Sequence, residues 1–136
     1  MSNFKSLGED LLDALNRHDV ERLSNLFDSN FSGIDIGERD PLQGIVAVRR
    51  YYERYFKAFP DFSMEGEQIA ENDRIALIWT ARGTHLGSLM HIPPTGRKVE
   101  IRGTTYLTTC NQKIIKSVNI WDMADMLRNI GLLPDL

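Results

Sequence analysis

The chain is poor in the features that mark several classes of protein. It has one cysteine, so no disulfide can form within it, and no apolar run approaches the roughly 20 residues that a membrane-spanning helix needs. Its net charge of −3 gives no electrostatic attraction to nucleic acid or to an anionic membrane. The amino-terminal sequence MSNFKSLGEDLL lacks the apolar core of a secretory signal. These absences predict a cytoplasmic protein that binds neither nucleic acid nor a membrane.

Motifs for metals, phosphates and activated nucleophiles are also missing. No two of the three histidines have metal-ligand spacing such as H-x-x-x-H. Gly33 and Gly37 lack the spacing of a phosphate loop or a dinucleotide fingerprint. Ser88 lies in L-G-S-L-M and not in G-x-S-x-G. The sequence therefore predicts no metal, no cofactor and no serine hydrolase.

Two stretches before Pro60 have the spacing of amphipathic helices. The first is interrupted at residues 16–19, and its apolar positions are Phe4, Leu7, Leu11, Leu15, Val20, Leu23, Leu26 and Phe27. The second runs from about Ile45 to Phe59 and ends at Pro60, because proline cannot continue a helix. Residues 31–44 contain three glycines and one proline, which predicts irregular structure there.

After Pro60 the apolar residues alternate with polar ones, as in strands that bury one face. Two predicted inward faces consist of Ile75, Leu77, Trp79, Ala81, Gly83 and His85, and of Val99, Ile101, Gly103, Thr105 and Leu107. A last strand spans about Ile114 to Trp121, and a short helix follows from about Met123 to Ile130. Helices followed by about four antiparallel strands predict one α+β domain over residues 1–136. A curved sheet wrapped over the helices would form a cone with an internal pocket.

Several segments together resemble a known family. They are GIVAVRRYY at 44–52, AFPDF at 58–62, IALIWTARGTH at 75–85, IPPTGRKVEIRG at 92–103 and KIIKSVNIWDMADMLRNIGLLP at 113–134. With them the chain resembles the SnoaL-like polyketide cyclases and ester cyclases of the nuclear transport factor 2-like superfamily. The resemblance implies a cystatin-like cone of helices and a curved antiparallel sheet. It also implies cofactor-free ring closure of a polyketide by intramolecular aldol condensation.

The resemblance implies catalytic residues as well. The family's acid/base carboxylate, near the end of the last strand, carries over onto Asp122. The family's histidine has no counterpart at residues 98–109, so His85 on the preceding strand is the nearby substitute, and Asn119 is the polar group beside the carboxylate. The family's asparagine near the second helix is absent from residues 40–48.

The residue types leave two roles open for Asp122. A carboxylate buried beside Trp121 would have a raised pKa and could exchange protons near neutral pH. Aspartate is also a preferred helix N-cap, and Asp125 three residues later fits a capping arrangement. Trp121, Trp79, Tyr52 and Tyr55 are the expected ligand-binding residues, although core packing explains such rings equally simply.

Three functions remain open at this point. The first is a cofactor-free lyase or isomerase of the polyketide cyclase kind, acting on a small hydrophobic carbonyl compound. The second is a non-catalytic protein that binds a small hydrophobic ligand, and the third is a dimerisation domain. The predicted helices cover only one face of the sheet, and the other carries Ile78, Tyr106, Val118 and Ile120. A homodimer through that face is therefore expected.

Overall fold

A computed structural model describes residues 6–135, so Phe4 lies outside the described residues. In that part of the chain there are four helices and six strands. They are α1 Leu7–Asn16, α2 Val20–Asn25, β1 Phe27–Asp35, β2 Leu42–Gln43, α3 Gly44–Ala58, β3 Ser63–Glu71, β4 Arg74–Thr84, β5 Lys98–Cys110, β6 Lys113–Trp121 and α4 Met123–Asn129. The α+β class predicted from the sequence is confirmed, and the predicted helices and later strands lie close to their expected positions.

The strands form one curved, unclosed sheet in the order β2-β1-β6-β5-β4-β3. Neighbouring strands are antiparallel except β1 and β6, which run parallel. The sheet is therefore mixed, and it has two more strands than the four expected. The parallel pair consists of the first and last strands, which are far apart in sequence and are not joined by a hairpin.

Residues 31–44 are the largest departure from the sequence prediction. They were expected to be irregular, but β1 extends to Asp35 and β2 occupies Leu42–Gln43. Glycine at position 33 is required by packing, since a Cβ there would lie 2.5 Å from the ring of Phe31 and 2.6 Å from Oγ of Ser117. The glycines that suggested a loop thus include one that allows close packing within a strand.

The concave face of the sheet, together with the helices, holds the core. In β4, Ile75, Leu77, Trp79 and Ala81 are buried, while their neighbours in sequence are more exposed. Helix α1 packs on β3, α3 packs on β1, and α4 packs on β5. The alternation in the sequence therefore identified the inward face of this strand correctly.

The outer face of the sheet remains partly apolar. It exposes Ile34, Ile78, Tyr106 and Ile120, of which Ile120 is 57% exposed. No helix among residues 6–135 is long and apolar enough to cross a membrane.

Candidate active site

A pocket lies between the concave face of the sheet and helices α1, α3 and α4. The space open to the centres of water-sized molecules is about 90 Å³, and one water needs about 10–15 Å³ by this measure. Aromatic rings form much of the wall: Tyr51, Tyr52, Tyr55, Phe56, Phe59, Phe62, Trp79 and Trp121. The polar side chains that reach the wall are Asp35, Arg82, Thr105 and Asn119, besides the tyrosine hydroxyls and the indole nitrogens. The pocket therefore suits a largely apolar ligand with a polar group at one end.

Asp35 is the carboxylate of this pocket, and its residue is only 2% exposed. Its Oδ1 accepts hydrogen bonds from the backbone N–H of Gly37 at 2.7 Å and from Nε1 of Trp121 at 2.9 Å. Its Oδ2 accepts the hydroxyl of Tyr51 and, at 3.4 Å, Nδ2 of Asn119. A buried carboxylate is costly unless hydrogen bonds satisfy it, and these four donors do so.

Strand pairing brings these groups together. Asp35 is the last residue of β1, and its partner in the parallel ladder with β6 is Asn119. Trp121 follows two positions later and so has its side chain on the same face of the sheet. Glycine at position 37 leaves room for that ring, since a Cβ there would lie 2.5 Å from Cζ2 of Trp121.

Helix α3 supplies the tyrosines of the site. Burial, followed by the neighbouring Tyr55 and then Asp35, raises the pKa of Tyr51 well above its ordinary value. Burial and then Asp35 likewise raise the pKa values of Tyr52 and Tyr55. All three phenols therefore keep their protons near neutral pH, and that of Tyr51 donates to Asp35.

A second set of hydrogen bonds leads from β4 to Asn119. Nε1 of Trp79 donates to Oγ1 of Thr105 at 2.9 Å. That hydroxyl donates to Oδ1 of Asn119 at 2.7 Å. Nδ2 of Asn119 then lies 3.3 Å from the hydroxyl of Tyr51, in addition to its contact with Asp35. The polar groups of four strands and one helix thus form one connected network at one end of the pocket.

Asp122 does not line the pocket. It is exposed, and it forms the N-cap of α4, where its Oδ1 accepts the backbone N–H of Asp125 at 2.9 Å. Of its two possible locations, the structure has the cap and not the pocket, because β6 ends at Trp121 and the chain turns outward into the helix. The carboxylate beside Trp121 in space is Asp35, which comes from the opposite end of the sequence.

His85 is fully buried but also lies outside the pocket wall. Its Nδ1 accepts the hydroxyl of Thr95 at 3.0 Å and the backbone N–H of Thr95 at 3.2 Å. Its ring lies 5.8 Å from that of Phe59. Burial lowers the pKa of His85, with a contact to the backbone of Gly87 opposing the shift in part. The imidazole therefore ties the loop of residues 86–97 to the end of β4 and does not reach Asp35.

The remaining candidates do meet in one place. Asn119, Trp121, Trp79, Tyr52 and Tyr55 all line the pocket. Sequence reasoning missed Asp35, although it lies on one face of β1 with Phe31 and Gly33, both of which are buried. This alternation covers only three positions, one of them a glycine, so it is a weak signal for a strand. Among residues 6–135, no group of three or more histidine, cysteine, aspartate or glutamate side chains is placed to hold a metal ion.

Comparison with known proteins supports the same fold. The sequence profile of the SnoaL-like polyketide cyclases matches residues 7–130. AclR of Streptomyces galilaeus, described as a candidate hydroxylase, is 27% identical with a TM-score of 0.84, over 96% of this chain and 85% of that one. IdmH of Streptomyces antibioticus, described as a candidate polyketide cyclase, is 23% identical with a TM-score of 0.79, over 92% and 96%.

A more distant structure shares the architecture as well. A protein with a ketosteroid isomerase-like fold from Catenulispora acidiphila is 13% identical with a TM-score of 0.79, over 93% of each chain. No curated protein matches this chain closely enough to count as a relative.

Proposed function

This chain belongs to the SnoaL-like polyketide cyclase family, and we propose that it is a cofactor-free lyase or isomerase of the cytoplasm that acts on a small hydrophobic carbonyl compound. The observation that carries the proposal is the buried carboxylate of Asp35 at the polar end of an aromatic pocket. Proton abstraction next to a carbonyl needs such a base together with a donor to the enolate oxygen. In this proposal Asp35 takes the role that the family resemblance implied for Asp122.

The reaction uses two sides of the polar network. Oδ2 of Asp35 takes a proton from the carbon next to the carbonyl. The electron pair of that C–H bond forms the C=C bond of the enolate, and the π pair of the C=O bond moves to the carbonyl oxygen. Oδ2 is the carboxylate oxygen that accepts the longest of the four hydrogen bonds, the 3.4 Å bond from Asn119. This bond is therefore the easiest for a substrate to displace. The N–H of Asn119 that is displaced from Asp35 then donates to the enolate, while the second N–H stays on the hydroxyl of Tyr51. In an aldol ring closure the enolate carbon bonds to a second carbonyl carbon, whose oxygen takes the proton back from Asp35.

The pocket wall would orient the substrate. Trp79, Trp121, Tyr52 and Tyr55 present apolar ring surface on several sides. Contact with these rings removes apolar surface of the ligand from water, and so favours an apolar carbonyl compound over a polar one. The high pKa of Tyr51 keeps its hydroxyl as a donor to Asp35 throughout.

Deuterium exchange tests the proposal without knowledge of the natural product. Carbonyl compounds that raise the melting temperature of the protein are incubated with it in D₂O, and loss of the proton next to the carbonyl is followed by NMR. The wild type and Asp122→Asn are expected to accelerate exchange, and Asp35→Asn to lose about 10²-fold or more, as for removal of a general base. Tyr51→Phe, which keeps the ring, is a second variant in case Asp35→Asn folds poorly. Full exchange in folded Asp35→Asn would contradict the proposal.

One observation favours a second function, non-catalytic binding of a small hydrophobic ligand. The two oxygens of Asp35 together accept four hydrogen bonds, which occupy all of their lone pairs. A substrate proton could reach the carboxylate only if one of these donors were displaced. In that case compounds stabilise the wild type against heat, but none of them exchanges its protons faster with the protein present. The two functions therefore give different results in the same assay.

We also infer that the outer face of the sheet mediates a homodimer. Ile120 is 57% and Ile78 44% exposed on this face, and a partly apolar sheet face favours contact with a second copy. Light scattering at micromolar concentration is expected to give twice the mass of the chain. Ile120→Lys is expected to give a monomer, whereas Val46→Lys on α3, where Val46 is 63% exposed, leaves the dimer intact. A monomeric wild type would contradict the inference.

A further inference from the structure

Thr105 lies at the centre of the polar network, where its hydroxyl connects the indole of Trp79 to the amide of Asn119. In the antiparallel ladder of β5 and β6 it is the direct partner of Asn119. In the ladder of β4 and β5 it is the partner of Leu77, two residues before Trp79 on the same face. Its hydroxyl is therefore within reach of both the indole and the amide, at 2.9 and 2.7 Å.

The chemistry of the donors fixes the direction of these hydrogen bonds. An indole N–H can only donate, so Oγ1 of Thr105 must accept from Trp79. The one hydrogen of the hydroxyl is then free to be donated to Asn119, whose Oδ1 is the acceptor. The opposite end of that amide faces Oδ2 of Asp35, which as a carboxylate accepts only.

Both ends of Asn119 thus require the same orientation of the amide. A flipped amide would place its oxygen against the carboxylate of Asp35 and its NH₂ against Oγ1 of Thr105. The hydroxyl hydrogen would then lose its acceptor, and two acceptors would face each other in a buried site, which is unfavourable.

We propose that Thr105 is a positioning residue that holds the amide of Asn119 with its NH₂ group directed at Asp35 and Tyr51. Its importance for catalysis rests on the proposed function, in which that amide donates to the enolate oxygen. The orientation itself is a property of the free protein. Thr105 makes no step of the reaction and acts only through Asn119.

Two substitutions separate the hydroxyl from the shape of the side chain. Thr105→Val keeps the volume and the β-branch but has no hydroxyl, and its second methyl group fills the space that a water would need. Thr105→Ser keeps the hydroxyl and loses a methyl group. A role in packing alone predicts that valine is tolerated better than serine, whereas positioning predicts the reverse.

NMR of the ¹⁵N-labelled, ligand-free protein reads the orientation directly. The chain has two tryptophans, so the indole signal of Trp121, which donates to Asp35, is an internal control for that of Trp79. In Thr105→Val the indole N–H of Trp79 is expected to exchange with solvent roughly tenfold faster, the factor for loss of one net hydrogen bond. The side-chain amide signals of Asn119 shift and broaden, and Thr105→Ser restores both.

The outcomes are distinct from those of the catalytic test. Unchanged Asn119 amide signals in folded Thr105→Val would overturn the proposal, as would failure of Thr105→Ser to restore them. Deuterium exchange of a bound carbonyl compound adds the catalytic reading, with a fall in kcat and an unchanged KM expected for Thr105→Val. Absence of any exchange in the wild type would contradict the proposed function and leave the NMR result to decide on the orientation of Asn119.

Discussion

Nε1 of Trp121 donates a 2.9 Å hydrogen bond to Oδ1 of Asp35, across the parallel pair of β1 and β6. This contact joins residues that are 86 positions apart in the sequence. The direction of this hydrogen bond is fixed, because the indole can only donate and the carboxylate can only accept. The pocket carboxylate is thereby held by the strand that also supplies Asn119, its ladder partner.

Asp35→Asn is expected to destabilise the fold by about 1–3 kcal/mol. The amide has one acceptor oxygen in place of two, and its NH₂ group would face either the N–H donors of Gly37 and Trp121 or the O–H donor of Tyr51. Urea unfolding followed by fluorescence measures the change in the free energy of unfolding. Asp122→Asn is the matched control, since asparagine caps helices as well as aspartate does. Equal stabilities of the two variants would contradict the assignment of Asp35 as the buried acceptor.

Much of the fold was predictable from local patterns, but the central residue of the site was not. Alternation in β4 correctly predicted the inward face that carries Trp79, because a strand with one buried face has its own period-two signal. Asp35 depends on a parallel pairing between the first and last strands. No local pattern encodes such a pairing, and the glycines around Asp35 are equally typical of a loop.

The two roles left open for Asp122 illustrate the same limit. Its sequence context fits both a pocket base and a cap, because the facing of a residue at the end of a strand depends on how the chain turns. The spacing to Asp125 was visible and matches the observed cap. The apolar environment beside Trp121 was also real, but a different carboxylate occupies it.

Removal of the cap gives a second prediction. Asp122→Ala is expected to cost about 1 kcal/mol, because the backbone N–H of Asp125 loses its acceptor at the start of a short helix. Asp122→Asn should stay within about 0.5 kcal/mol of the wild type. Thermal and urea unfolding of the three proteins measure these differences. A loss from Asp122→Asn as large as that from Asp122→Ala would show that the charge of Asp122, and not its cap, stabilises the protein.

His85 predicts how the stability depends on pH. Burial lowers the pKa of His85 in the folded protein, and protonation would also place an N–H at Nδ1 against the backbone N–H of Thr95. The unfolded chain, with a histidine pKa of about 6.5, therefore binds a proton before the folded protein does. The contribution of His85 to stability is complete above that pH and is lost as the pH falls towards the lowered pKa of the folded state.

Asn in place of His85 isolates this effect, because its side-chain oxygen can accept from Thr95 but does not titrate. The free energy of unfolding of the wild type is expected to fall more steeply between pH 7 and pH 5 than that of His85→Asn. Other groups titrate in both proteins and cancel in the difference. Parallel pH curves for the two proteins would contradict a buried, neutral His85.

The last prediction concerns the close approach of Gly103 to Trp79. These residues are partners in the ladder of β4 and β5, and a Cβ at position 103 would lie 2.5 Å from Cζ2 and 2.6 Å from Cη2 of the indole. Gly103→Ala therefore displaces the ring that donates to Thr105, at an expected cost of about 1–3 kcal/mol for overpacking. Urea unfolding measures the cost, and the indole signal of Trp79 in NMR reports the displacement.

Phenylalanine at position 79 provides the control, because it lacks the two atoms that the new Cβ would meet. In a Trp79→Phe background, Gly103→Ala is expected to cost less than in the wild type, by about 0.5 kcal/mol or more, which a double-mutant cycle measures. Part of the cost should remain, since the backbone oxygen of Ile120 also lies 2.8 Å from the Cβ position. An equal cost in both backgrounds would mean that this backbone contact, and not Trp79, requires the glycine.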